Sequence, residues 1–227
     1  MATTGTTAFN MDLNELIEEA FERAGGEVRS GYDFRTARRS LNILLAEWSN
    51  RGINMWTIDS GTIPLISGTA TYNLPADTVD LIEHVVRTGS GTTQADLTAS
   101  RISVSTYATI PNKTATGRPL QIYIDRAVAT PTVTVWPVPD ASSTYTLVYW
   151  RMRRMDDAGN GTNTQEVPFR FLPCLVAGLA FYIALKLPEG QAKAMMLKQE
   201  YEEAWMLAST EDREKATSRF VPRIARV

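Results

Sequence analysis

This chain is short of the residues that most enzymatic sites are built from. It has one cysteine and one histidine in 227 residues. A single cysteine excludes an internal disulfide and any cysteine-rich metal site, and points to a reducing compartment. One histidine removes most histidine-based chemistry. Neither charge sign dominates: 23 Lys and Arg stand against 25 Asp and Glu, a formal net charge of −2. A general nucleic-acid binder needs a clear basic excess to contact phosphates, so that class is disfavoured. A long apolar run is missing too. Phe171 to Leu185 is fifteen residues between Arg170 and Lys186, short of the roughly 20 that cross a bilayer, and reads as a buried helix. Residues 1–11 have neither a basic start nor an apolar stretch, so no secretory signal is expected.

What is present is periodic. Leu13, Leu16, Ile17, Ala20, Phe21 and Ala24 recur at the spacing of one helix face, with Asn10 or Asp12 as cap and Gly25-Gly26 as stop. A second helix is expected after Asp33, with Phe34, Ala37, Leu41, Leu44, Leu45 and Trp48 inward and Gly52 ending it. From about Gly61 the period drops to two. Strands are expected over 62–66, 69–74, 79–86, 120–124, 132–136 and 144–151, and Ser67-Gly68 suggests a hairpin between the first two. Residues 88–118 are rich in Thr, Ser and Gly and read as an exposed insertion, helical at most over 101–107. Helices return after Pro168, first an apolar one to about Leu187, then one carrying Leu197, Tyr201, Ala204, Trp205 and Ala208. The final stretch alternates Arg219, Arg223 and Arg226 with Phe220, Val221, Ile224 and Val227, and Pro222 forbids a continuous helix. It reads as a docking peptide that is mobile when free.

The expected class is α+β. An α-helical bundle from N- and C-terminal helices carries an inserted antiparallel β-sandwich or barrel-like domain and an extended C-terminal tail. The boundaries expected are a helix pair at 1–58, a β domain at 59–155 with its insertion at 88–118, a helix pair at 156–209 and a tail at 210–227.

No catalytic constellation emerges. There is no G-x-S-x-G elbow, phosphate-binding loop or dinucleotide fingerprint. His84, read as sharing a strand face with Asp80, Ile82 and Val86, is expected to be structural. Cys174 lies inside the apolar helix, and Asp156–Gly161 misses the calcium-loop template and reads as a turn. No enzyme activity, cofactor or metal is expected. Arg35, Arg38 and Arg39 cluster on the second helix, and Arg151, Arg153 and Arg154 follow the last strand. Glu15, Glu18, Glu19 and Glu22 lie on the first helix. Of these, Glu15, Glu18, Glu22, Arg35, Arg38 and Arg39 are candidate subunit contacts, since a head-to-tail pairing with fixed rotation closes a ring.

Several stretches together resemble the head-to-tail adaptor (connector) proteins of tailed bacteriophages, closest to the short-tailed, tail tubular protein A type. They are ELIEEAFERAG, LLAEWSNRGINMWTI, TATYNLPADTVDLIEHVVR and VPFRFLPCLVAGLAFYIALKLPE, in that order. The resemblance implies a structural virion protein made in the host cytoplasm, forming a ring, commonly of twelve copies, between the portal protein and the tail nozzle or tube. Genomic DNA would pass through its channel without sequence-specific binding or any membrane contact. The helical bundle would form the wall and the β domain would face the tail. The C-terminal segment would enter the portal, with Phe220 and Ile224 as apolar anchors beside Val221 and Pro222, and Arg219 and Arg223 pairing with portal acids. Residues 88–118 have no counterpart in the resemblance. Two other readings are a tail-associated peptidoglycan-degrading accessory protein, which would need a carboxylate cleft, and a monomeric binding or scaffold module.

Overall fold

The computed structural model describes residues 3–52, 55–142 and 144–213. They form an α+β fold in two compact units. One comprises the described residues up to Trp56 and from Asp156 onward, the other those from Thr57 to Met155.

The first unit is helical. α1 (Leu13–Ala24) begins with a capping box in which the Asp12 side chain accepts from Glu15 N–H and the Glu15 carboxylate accepts from Asp12 N–H. It ends at Gly25, whose φ of 87° suits a residue without Cβ. α2 (Gly31–Asn50) starts two residues before the expected Asp33. Ser30 is the cap, and Asp33 closes the box from the third helical position. In its inner stripe Ser40 is buried and Phe34 only half-buried. The Ser40 hydroxyl donates to the Thr36 carbonyl and receives Lys186 Nζ. α4 (Leu172–Ala184) follows a short 3₁₀ turn at Phe169–Phe171, which places Pro173 in the first turn, where no N–H is lost from the ladder. α5 (Ala194–Glu211) runs two residues past the expected boundary at 209.

α4 is apolar nearly all round, and α1, α2 and α5 all pack on it. At its middle Gly178 faces Leu44 and Tyr201 so closely that a Cβ would sit 2.9 Å from the Leu44 side chain. An aromatic cluster closes one end. Trp48 meets Phe171 and Trp205 with tilted rings at 5.6 and 5.1 Å, and Trp56 meets Phe171 at 4.6 Å. Trp48 Nε1 donates to the Tyr201 hydroxyl at 2.9 Å, satisfying the one polar atom the ring buries.

Arg51, at the end of α2, binds this cluster to the polar side. Its guanidinium donates to Glu47 Oε1 at 2.9 Å and to both Glu202 oxygens at 2.7 and 2.8 Å. It also lies over the Tyr201 and Trp205 rings at 4.8 and 5.1 Å. The cation holds the Glu202 carboxyl below its usual range. Burial, together with the hydrogen bond to Glu47, pushes the Tyr182 hydroxyl up to about 12.

The second unit is a sandwich. One sheet has the order β1-β8-β3-β4 and the other β2-β7-β6-β5. The strands are β1 (Ile58–Pro64), β2 (Thr71–Asn73), β3 (Thr78–Thr88), β4 (Ala95–Thr98), β5 (Ser100–Arg101), β6 (Gln121–Asp125), β7 (Thr132–Trp136) and β8 (Tyr145–Arg153), with the short helix α3 (Val104–Thr109) after β5. The two sheets share one core of Leu65, Leu81, Val86, Ile122, Val133, Val135, Leu147, Tyr149 and their neighbours. The barrel-like alternative does not hold: among the described residues neither sheet closes. All pairs are antiparallel except β5–β6.

Three local expectations are corrected. Ser67-Gly68 makes no hairpin, because β1 pairs with β8 and β2 with β7, so this turn carries the chain from one sheet to the other. The insertion at 88–118 is partly structured, supplying the edge strands β4 and β5 and the helix α3. Arg87 and Asp96 join β3 to β4 by a two-pronged ion pair at 2.8 and 2.9 Å. His84 does not share a face with Ile82. The register slips between Leu81 and Glu83, so an extra residue at Ile82 returns His84 to the inner side with Leu81 and Val86.

The buried His84 Nε2 donates to the Ala99 carbonyl at 2.8 Å, where the chain leaves β4 of one sheet for β5 of the other. Its Nδ1 is buried without a partner. Burial first, with the nearby Arg101 cation adding to it, lowers the imidazole pKa. The Ala99 bond and Glu83 oppose the shift without cancelling it.

Two predictions follow from these cores. Arg51→Met leaves Glu47 and Glu202 facing each other without a cation and should cost about 1.5 kcal/mol of stability. Adding Glu47→Gln and Glu202→Gln should return most of it, read by denaturant unfolding. For His84, the neutral ring is favoured in the folded state, so its stabilisation is present above the unfolded pKa of about 6.5 and lost as pH falls below it. Thermal melting at pH 7.5 and 5.0 should therefore show a drop that His84→Gln reduces.

Candidate assembly surfaces

The helical unit presents its chemistry outward. Glu15, Glu18 and Glu22 follow a three-then-four spacing, so they form one row along α1. All three are exposed. Glu15 is engaged by the capping box, whereas Glu18 and Glu22 have no ion-pair partner among the described residues. Glu19 lies one residue round the helix and pairs with Arg23 at 2.8 Å, and Arg23 reaches Glu200 of α5 at 2.8 Å.

On α2, Arg38 and Arg39 follow Arg35 by three and four residues, which places all three on one side of the helix, and they are also exposed. Arg38 donates to the Gly159 carbonyl at 3.2 Å. Arg35 and Arg39 have no carboxylate partner among the described residues. The acidic row and the arginine row therefore sit on different helices of one unit, and no ion pair between them is formed within the chain's described residues. Two arginines of the second cluster are paired inside the β unit. Arg151 binds Asp77 at 2.7 Å, lowering that carboxyl, and Arg153 binds Asp59 at 2.9 Å.

The loop after β8 has a structural task that its composition did not show. Carbonyls of Asn163 and Gly161 accept the Leu13 and Asn14 N–H groups at 3.0 and 3.1 Å, in the first turn of α1, where no intrahelical partner exists. Asn42 of α2 accepts the Ala158 N–H at 2.8 Å. Among the described residues no group of three or more His, Cys, Asp or Glu could hold a metal ion. Cys174 is fully buried, and burial pushes its thiol up to about 12. A thiol held protonated in that way is a poor nucleophile.

Two apolar surfaces were not legible as such in the sequence. A groove of about 600 Å³ is lined by Phe9, Met11, Leu172, Pro173, Val176 and Phe169, with Glu19 and Arg23 on one wall. Phe9 and Phe169 are each 78% exposed there. Along α5, Met195, Met196, Met206 and Leu207 face outward, opposite the buried Leu197, Tyr201 and Ala208. The signal was apolar residues on both sides of a helix whose inner face was already complete. The docking residues Arg219, Phe220, Val221, Pro222, Arg223 and Ile224 lie outside the described residues.

No described helix is long and apolar enough to cross a membrane. A search of curated proteins returned no match. The family model for the SU10 adaptor protein matches residues 11–223, spanning both helix pairs and the β unit between them. The chain belongs to the SU10 adaptor protein family and is a structural adaptor protein of phage type.

Proposed function

We propose that this chain is the head-to-tail adaptor of a tailed phage, assembling as a ring, of twelve copies by analogy with such adaptors, between the portal protein and the tail nozzle or tube. The observation that carries the reading, beyond family membership, is the pair of charged rows on α1 and α2, in which Glu18, Glu22, Arg35 and Arg39 have no ion-pair partner among the described residues. A surface with Glu15, Glu18 and Glu22 on one helix and Arg35, Arg38 and Arg39 on another is complementary to a second copy of itself. Contacts of different patches repeated head to tail close into a ring when the rotation permits. Charges of this kind set register and orientation more than affinity. The apolar outer face of α5 offers area for the same contact.

In this reading the channel lets DNA slide. The chain's near-neutral charge gives passing phosphates no strong hold. The segment 219–227 docks on the portal, with Phe220 and Ile224 as anchors and Arg219 and Arg223 orienting it. Localisation to the virion at the head–tail junction follows, and the reading assigns no catalytic role.

Charge reversal tests the ring contact. Glu18→Arg with Glu22→Arg should abolish ring formation on portals, and Arg35→Glu with Arg39→Glu should do the same. Mixing the two variants should restore mixed assemblies, seen by sedimentation. Failure of the mixture with both variants folded would remove these rows from the interface.

Deleting residues 219–227 tests the docking segment. The shortened chain should keep its far-ultraviolet circular dichroism yet no longer cosediment with portal rings of its phage. Normal cosedimentation would move portal binding elsewhere on the chain.

A further inference from the structure

The apolar groove on the helical unit needs an occupant, and the end of α5 supplies one. α5 finishes at Glu211, and Asp212 is tied down immediately afterwards. Its buried carboxylate pairs with Arg170 and accepts the Met55 N–H at 3.0 Å. Arg170 adjoins Phe169, which forms one wall of the groove. The described chain therefore ends, at Arg213, near the groove, and fourteen further residues could span up to about 45 Å if extended.

Their pattern fits what the groove presents. Bound as an extended strip, the segment would place Phe220, Pro222 and Ile224 on one side and Arg219, Val221 and Arg223 on the other, since successive side chains alternate. The groove offers Phe9, Phe169, Leu172, Pro173 and Val176 to the first side. Beside its Glu19 and Arg23 wall runs the row of Glu15, Glu18 and Glu22, with Glu18 and Glu22 unpaired among the described residues, to meet arginines. Removing these large apolar side chains from water is what would favour the contact over a solvated segment.

We propose that this groove is the resting berth of the chain's own C-terminal segment, residues 214–227, bound in cis through Phe220 and Ile224 with Arg219 and Arg223 against the α1 acids. In place of a free tail, the unassembled chain covers its apolar strip and part of its acidic row at once. Both surfaces are then released together when the segment is drawn away. The berth is a property of the chain alone and stands independently of the portal reading.

The test is disulfide trapping in the full-length chain without any portal. Phe169→Cys is paired with Phe220→Cys, and the reference pair is Ile43→Cys with Phe220→Cys. Ile43 lies on the outer face of α2, and native Cys174 is buried and inert. Under mild oxidation the groove pair should close within one chain at least about tenfold faster than the reference, at a rate independent of protein concentration, as a tethered contact requires. Equal rates for the two pairs would overturn the berth. So would a linked dimer whose yield rises with concentration, which would assign the groove to a second copy instead.

Discussion

The helical unit depends on α4 being both apolar and thin. Three helices can approach one only if the central one offers little bulk on each side, and Ala177, Gly178, Ala180 and Ala184 provide that. Gly178 is the tightest point, where Leu44 from α2 and Tyr201 from α5 close on the same backbone. These ion pairs lie at the rim: Arg51 with Glu47 and Glu202, and Arg23 with Glu19 and Glu200, bridge helices around α4 and not through it. The outward rows of acid and arginine are possible because the interior needs none of them.

The β unit solves a different problem with its one histidine. Its chain changes sheets several times, and at Ala99 it does so with a buried carbonyl that has left one ladder. His84 donates to that oxygen. The bulge at Ile82 aims the ring, so the irregularity in β3 and the crossing at Ala99 belong to one device. A buried imidazole nitrogen without a partner accompanies it, and this makes the crossing sensitive to acid.

The helices were readable because their signals are local. Asp12 and Glu15 cap each other across three residues, Gly25 bonds back to Phe21 and Glu22 within four, and the apolar stripe of α1 needs no partner to be recognised. The α+β class and most strands were legible for the same reason. β4 and β5 were not, since an edge strand with every residue exposed shows no alternation to detect. The face of His84 was misread because a bulge is set by pairing with β8, which no window on β3 contains. The role of Arg51 escaped notice because its partner Glu202 lies 151 residues away. The same holds for the groove, whose walls come from residues 7–23 and 169–176. The charged rows on α1 and α2 could be picked out as candidates from spacing alone, but their lack of partners is visible only in three dimensions.

The capping of α1 by carbonyls of Gly161 and Asn163 has a consequence for how the protein is made. A ribosome releases the chain from its first residue onward, so α1 and α2 emerge with their apolar faces uncovered. The residues that finish the first turn of α1, and the helix on which both pack, come some 120 or more positions later. At typical synthesis speeds that interval is on the order of ten seconds. The β unit is continuous from Thr57 to Met155 and can close during it. The helical unit therefore completes after the β unit although α1 and α2 are made before it. Its yield in a cell is governed by whatever shields Leu16, Phe21, Leu41 and Leu44 in the meantime.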